Sequence, residues 1–172
     1  MKLPKLKEKK WNQEIEEQIY KKWKKDKTYK FNKNSKKKIY SIDTPPPYIN
    51  TPVHIGQATT YVLMDMFARF KRMNDHEVLF PLGLDKNGLP IEIATEKKFK
   101  VRLTDTSREE FLKLCGKLLD DSAVKTTDSF LRLGISFNSF DKGKNIGDVY
   151  ETDSEDYRTI TQNTFIDLWN KD

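Results

Sequence analysis

Near the start of the chain apolar residues return every four positions, at Trp11, Ile15, Ile19 and Trp23, while Glu14, Glu16, Lys21, Lys22 and Lys24 fall elsewhere on the wheel. That spacing predicts one amphipathic helix, preceded by a mobile stretch over residues 1–10 and closed by the polar run Phe31 to Lys38. Its two tryptophans are expected to dock it on the main domain, since apolar stripes usually face a core; stacking on bases is the other use of such rings. The period then changes. Ile39-Tyr40-Ser41-Ile42-Asp43 alternates as a short strand, Gln57 to Met73 holds helix formers with no Gly or Pro, and Glu77 to Phe80 is a second short strand. Over 56–73, Ala58, Tyr61, Val62, Met64, Met66, Phe67 and Phe70 cover much of the circumference, so this helix is expected to be largely buried against a sheet. Arg69, Lys71 and Arg72 suit its C-terminal dipole, and Asn74-Asp75 stop it.

Strand, helix, strand is a β-α-β unit, and the fold class that follows is α/β with a parallel sheet. The loops after the two strands then leave the sheet at one edge, which brings His54 and Asp85 to one crevice, where open α/β sheets bind their ligands. Pro90 opens a helix through Lys98. Ser107 and Glu110 form a capping-box pattern ahead of Phe111, Leu114, Cys115, Leu118 and Leu119, and Gly134 stops that helix, with a bend or break expected near Ser122. Ile135 to Phe140 reads as a short strand or a buried loop, Asp141 to Glu155 as an exposed loop, and Asp156 to Trp169 as a last amphipathic helix.

Composition narrows the class. With 172 residues, 36% of them apolar, the chain can build one sizeable core. A single cysteine, Cys115, excludes an internal disulfide and a CxxC metal knuckle; it is expected to be a buried apolar side chain in a reducing compartment. No run approaches the roughly 18 apolar residues of a membrane span, and no signal peptide is expected, so a soluble, cytoplasmic protein with no membrane partner is the expectation. Net charge is +6, but residues 1–38 carry 15 Lys and 5 acids, or +10, which leaves −4 for residues 39–172. Such an arm either meets a phosphate backbone, a contact that weakens with salt, or is a solvated lysine face.

The chemistry gathers in Thr44 to Gln57, TPPPYINTPVHIGQ. Neither GxxxxGK[ST] nor GxGxxG occurs, so those phosphate grips are excluded. A helix start remains: backbone N–H groups there suit a phosphate, Gly56 allows close approach of a ligand, and His54 can donate to developing negative charge, or can instead serve only a local backbone group. The triple proline fixes φ three times and offers carbonyls and ring edges as a firm wall, or is merely a rigid turn. Asp85, between Gly83 and Gly88, can recognise an ammonium group or cap the segment starting near Asn87. The remaining carboxylates sit among lysines and read as surface.

TPPPYINTPVHIGQA, VLFPLGLDKNGLPIE and DYRTITQNTFIDLW together resemble a class I aminoacyl-tRNA synthetase of the valine, isoleucine and leucine subgroup, from about Ile39 onward. The stretch looks most like the archaeal valine enzymes, where a triple proline stands before the HIGH-type motif; the isoleucine relatives tend to show a glycine before two prolines. The resemblance implies a Rossmann-like nucleotide-binding fold that forms valyl-adenylate from valine and Mg·ATP, expels pyrophosphate and passes valine to tRNA. By the same resemblance His54 and Gly56 match the first His and Gly of HIGH and bind ATP, Pro45, Pro46 and Pro47 wall the amino-acid pocket with Tyr48 in the same loop, and Asp85 holds the α-amino group. Gln57 stands where HIGH has its second histidine, which by the same resemblance makes it, with His54, a catalytic and ATP-binding residue; it can donate a hydrogen bond but cannot become cationic, so its binding role is kept while its share in pyrophosphate departure is the part the change touches. No KMSKS-like loop, second half of the nucleotide fold, editing domain or anticodon bundle is found. The expectation is therefore an arm over 1–38 joined to the N-terminal half of a catalytic domain over 39–172, ending near the editing insertion and inactive without a C-terminal partner that carries the KMSKS loop. An isoleucine enzyme, and a noncatalytic module that binds tRNA or an amino acid, are the alternatives.

Overall fold

The computed structural model describes residues 10–171, so the mobile stretch expected at the N-terminus falls, for residues 1–9, outside the described residues. Contacts divide the chain into two compact units, Met1–Lys30 and Phe31–Asp172. In the first, helix α1 spans Gln13–Asp26, begins where Asn12 accepts a hydrogen bond from the Glu14 amide, and ends at Lys27 in the left-handed region. Trp11 therefore precedes the helix and is 75% exposed, while Trp23 packs edge-on against Tyr20 and Tyr29.

The second unit begins with strand β1 (Ile39–Ser41) and helix α2 (Ile55–Met73), followed by β2 (Glu77–Leu79). β1 and β2 pair in parallel, Ile39 opposite Glu77 and Ser41 opposite Leu79, and the Ile42 amide continues the ladder to Leu79 O. That is the β-α-β unit expected from the pattern. Next come β3 (Gly83–Leu84), α3 (Leu89–Phe99) and α4 (Arg108–Arg132), and then β4 (Tyr150–Glu151) and α5 (Glu155–Trp169). β3 and β4 also pair in parallel, so two short parallel sheets stand in place of one.

Three expectations need correction. The Asp141–Glu155 stretch is not an exposed loop: it contains β4, and Gly147, Val149 and Thr152 are buried. Its acids and glycines disguised a strand too short to show alternation. Second, α4 runs unbroken through Ser122, because Phe111, Cys115, Leu118, Leu119, Ala123, Thr126 and Phe130 keep one buried stripe along it. Third, α2 is not largely buried. Only Tyr61, Asp65 and Ala68 are fully covered, and Leu63, Met66, Phe67, Phe70 and Met73 face outward.

The core lies between α2, α4 and the segment 135–137, where Phe80, Phe130 and Phe137 are buried; Phe137 packs tilted on Phe80 and edge-on against Phe130 and Tyr61, and Tyr61 meets Phe130 edge-on. Each fully buried ring of this kind contributes about 2–3 kcal/mol. Ile135 to Asn138 is buried without forming a strand. Asn138 replaces one instead: its backbone N–H donates to Phe80 O at 3.0 Å, its side chain accepts from the Phe80 amide and its Nδ2 donates to Val78 O at 2.9 Å. This satisfies the open edge of β2.

One buried network fixes α2 to that segment and corrects the reading of its charges. Asp65 is a buried carboxylate, not a surface one; it accepts from Arg69 Nε at 2.7 Å and from the Ser136 amide at 2.8 Å. Arg72 donates to Ser136 O at 3.0 Å. The two arginines thus grip the turn after α4 as well as meeting the helix dipole. Lys71 lies over the Tyr40 ring, 4.6 Å from its centre.

Candidate active site

The segment from β1 to α2 is tied down at three carbonyls. Tyr61, on the second turn of α2, donates to Pro45 O at 2.7 Å; the Asp85 amide donates to Pro47 O at 2.9 Å; Gln57 Nε2 donates to Tyr48 O at 3.3 Å. Burial is what pushes the Tyr61 phenol up to about 12, with the hydrogen bond to Thr44 opposing and the neighbouring Tyr150 adding to it. All peptide bonds of the loop are trans. The three carbonyls of the proline loop are spent on holding it in place, so they are not the groups it offers outward. Pro47 is buried, Pro46 half-buried, and Pro45 and Tyr48 stand at the surface.

At the end of the loop His54 is the N-cap of α2. Its Nδ1 accepts from the Gln57 amide at 3.4 Å, and Gln57 Oε1 accepts from the His54 amide at 3.3 Å, a reciprocal capping box. With Nδ1 an acceptor, the proton of a neutral ring sits on Nε2, which is the donor toward solvent. Gln57 spans cap and loop with its two amide atoms, an arrangement that needs a donor and an acceptor on one side chain. Gly56 is exposed, and a Cβ there would stand 3.2 Å from the His54 ring, so glycine also makes room for the cap.

Asp85 is brought to the same loop by a parallel bridge with Tyr48 just beyond β3. It does not cap α3: Gly88 is that N-cap, at φ 96°, with no side-chain hydrogen bond. Instead Asp85 Oδ1 accepts from the Asn87 amide at 3.2 Å and from the Thr152 hydroxyl at 3.0 Å. The Tyr150 ring lies across Gly83 so closely that a Cβ at Gly83 would fall inside it, and it stacks on Tyr157 with centres 6.2 Å apart. Burial raises the Tyr150 phenol, and the nearby Tyr157, Asp43 and Asp85 charges add to the shift. Just behind, the Lys86 side chain is 4% exposed and its ammonium lies 3.0 Å from Glu151, 3.5 Å from Asp120 and 4.0 Å from Asp153. Burial alone would lower this lysine, but the hydrogen bond with Glu151 and the charges of Asp153, Glu151 and Asp120 outweigh it, and the net shift is upward.

Hydrogen bonds thus join His54 to Gln57 and Gln57 to Tyr48 O, and the adjoining Pro47 O to the Asp85 amide, with Gly56 at the cap and Pro45 and Pro46 leading in. Tyr61, Tyr150 and Thr152 escaped the sequence reading: Tyr61 resembles any other residue of an apolar stripe, and the other two lie in a stretch read as loop. A cleft of about 650 Å³ opens on another side of the same loop, lined by Asn50, Thr51, Pro90, Ile93, Lys97 and Lys125 among others. None of the predicted site residues borders it.

Residues 18–172 match the family model for tRNA synthetases class I (I, L, M and V). The chain belongs to the class I tRNA synthetases. Among relatives of this family it is 42% identical to a valine-tRNA ligase of Pyrobaculum aerophilum over 94% of this chain and 19% of the relative, and 40% identical to that of Archaeoglobus fulgidus over 92% and 17%. A valine-tRNA ligase of Wolbachia pipientis is 36% identical over 96% of the chain and 18% of its own length. This synthetase chain therefore spans about a fifth of the length of these relatives. In fold it is similar to the LeuRS of Agrobacterium radiobacter, solved as a ternary complex with tRNA and LeuAMS, at a TM-score of 0.73 and 24% identity over 91% of this chain and 17% of that one. The α/β, Rossmann-like fold expected from sequence is the fold of this neighbour. No helix among the described residues is long and apolar enough to cross a membrane.

Proposed function

We propose that this chain is the N-terminal part of the catalytic domain of a valine-tRNA ligase, which activates valine with Mg·ATP and transfers it to tRNA. The observation that carries the reading is the run of valine-tRNA ligases that match more than nine-tenths of the chain at about 40% identity. The linked site agrees with it. Pro45, Pro46, Pro47 and Tyr48 wall the valine side chain, and Asp85 receives its ammonium group. His54, through Nε2, and the backbone beside Gly56 receive the ATP phosphates at the start of α2. Gln57 holds cap and loop in register and so acts on catalysis by position. Magnesium enters with ATP as part of the substrate, carried on phosphate oxygens, as is usual for this ion. No covalent enzyme intermediate is involved: valine carboxylate attacks the α-phosphate, pyrophosphate leaves, and the protein supplies orientation and charge complementarity.

The rest of the catalytic machinery, including a KMSKS loop, is proposed to come from a further part of the synthetase. The 1–38 arm, at +10, is proposed to attract the tRNA backbone through its charge. Valine-dependent ATP–pyrophosphate exchange tests the whole reading. The chain should be inactive alone and active when the complementary part of the Pyrobaculum aerophilum enzyme is supplied, with valine preferred over isoleucine and leucine. Exchange driven better by isoleucine would overturn the specificity. No exchange after complementation, with salt-sensitive RNA binding retained, would instead mark a binding module.

A further inference from the structure

A threonine hydroxyl has one proton to give and two lone pairs to offer. At Thr152 both lone pairs are taken: Lys86 N donates at 2.9 Å and Asn87 Nδ2 at 2.9 Å. The proton is thereby committed to Asp85 Oδ1, 3.0 Å away. Oδ1 also accepts the Asn87 amide at 3.2 Å. A carboxylate held twice through one oxygen cannot turn without breaking both bonds, and Oδ2 is the oxygen left to face a ligand.

Thr152 is itself fixed on every side. Its amide donates to Leu84 O at 3.1 Å, continuing the pairing of β3 with β4, and the residue is 7% exposed, so water competes poorly for the hydroxyl. Lys86 reaches Glu151 and Asp153, the two residues flanking Thr152, and holds them from behind.

We propose that Thr152 is the positioning residue for Asp85: by locking one carboxylate oxygen it presents the other to the α-ammonium group of the amino acid. This role rests on the reading of Asp85 as the amino-acid holder, and it concerns the ammonium alone. The valine side chain and the ATP phosphates meet other residues, so loss of the Thr152 hydroxyl weakens one contact and spares the rest.

The test is an NMR titration of the 172-residue chain, following amides around Asp85, with two probes. L-Valinol carries the ammonium and the valine side chain; 3-methylbutan-1-ol has a similar apolar end and no ammonium. Thr152→Val is expected to weaken valinol about tenfold, the loss of one hydrogen bond to a charged group, while leaving the alcohol unchanged; Thr152→Ser should stay within about twofold of the original. The role is overturned if Thr152→Val binds valinol undiminished, if it loses both probes equally, or if Thr152→Ser loses as much as Thr152→Val. Asp85→Asn separates the two levels of the proposal. If it weakens valinol while Thr152→Val does not, only the positioning role falls; if it leaves valinol unchanged, or if the unsubstituted chain does not distinguish the probes, the Asp85 reading falls with it. Should Thr152→Val fail to fold, Thr152→Cys, a weaker donor of similar size, takes its place with a loss of a few-fold expected, and an unchanged affinity overturns the role.

Discussion

The two ends of the candidate site are built differently. Asp85 is held by Thr152, which lies just beyond β4 and 67 residues further along, in a region where Lys86 is buried and the Tyr150 ring closes over Gly83. His54 and Gly56 are exposed, and the His54 cap is made with Gln57, three residues along the chain. One end is fixed by tertiary structure and the other by local capping. An ammonium group needs a charged partner shielded from water and aimed in advance, whereas a phosphate is large, already charged and met by backbone N–H groups that any helix start supplies. Disruption should therefore cost stability at the Asp85 end and activity at the His54 end.

His54→Ala gives the largest expected effect. In complemented exchange it should lower the rate by about 10²–10³-fold, the usual cost of removing one donor to developing negative charge, yet reduce stability by only about 1 kcal/mol through loss of the cap. A stability loss above that, with exchange intact, would reverse the comparison. Gly83→Ala should do the opposite. The new Cβ collides with the Tyr150 ring, and denaturant melts should show about 1–3 kcal/mol of destabilisation. Tyr61→Phe removes the bond to Pro45 O and should cost about 1 kcal/mol, with valine KM rising more than ATP KM if the loop it holds is, as proposed, the wall of the valine pocket.

Alkaline titration tests the buried end by a separate route. The Lys86 pKa is raised on folding, so the stability it contributes is complete below its ordinary value of 10.5 and is lost as pH rises through the folded one. Tyr61 acts in the same direction: between 10.0 and about 12 the unfolded chain has released the phenol proton that the folded chain retains, so stability falls with pH there too. Melting temperature should drop over that window, and Lys86→Met and Tyr61→Phe should each flatten part of the drop. The smallest effect is expected at α5, where Phe165→Ser should change stability by no more than about 0.5 kcal/mol, since that helix buries none of its residues.

Elements with a strong period were legible in the sequence. β1, α2, β2, α3 and α4 fall within a few residues of their predicted bounds, and Cys115 is buried as expected, receiving the Thr95 hydroxyl at 3.3 Å. Failures cluster where a property depends on what lies opposite. The apolar circumference of α2 announced burial, yet only the side facing Phe130 and Phe137 is covered. The two residues of β4 are too few to carry a pattern, and the parallel partner that makes them a strand lies far back in the chain.

For the candidate site, TPPPYINTPVHIGQ stood out because rigidity, a helix start and a glycine are written in consecutive residues and depend on local geometry alone. Asp85 became a candidate from its place after a strand and between two glycines. What sequence could not supply was the state of each polar atom: that His54 Nδ1 and both amide atoms of Gln57 are spent on the cap and the loop, that three loop carbonyls are already bonded, and that the Thr152 proton points at Asp85. A hydrogen bond is settled by which donor and acceptor arrive together in space, and only the packing of β3 against β4 brings Thr152 to Asp85.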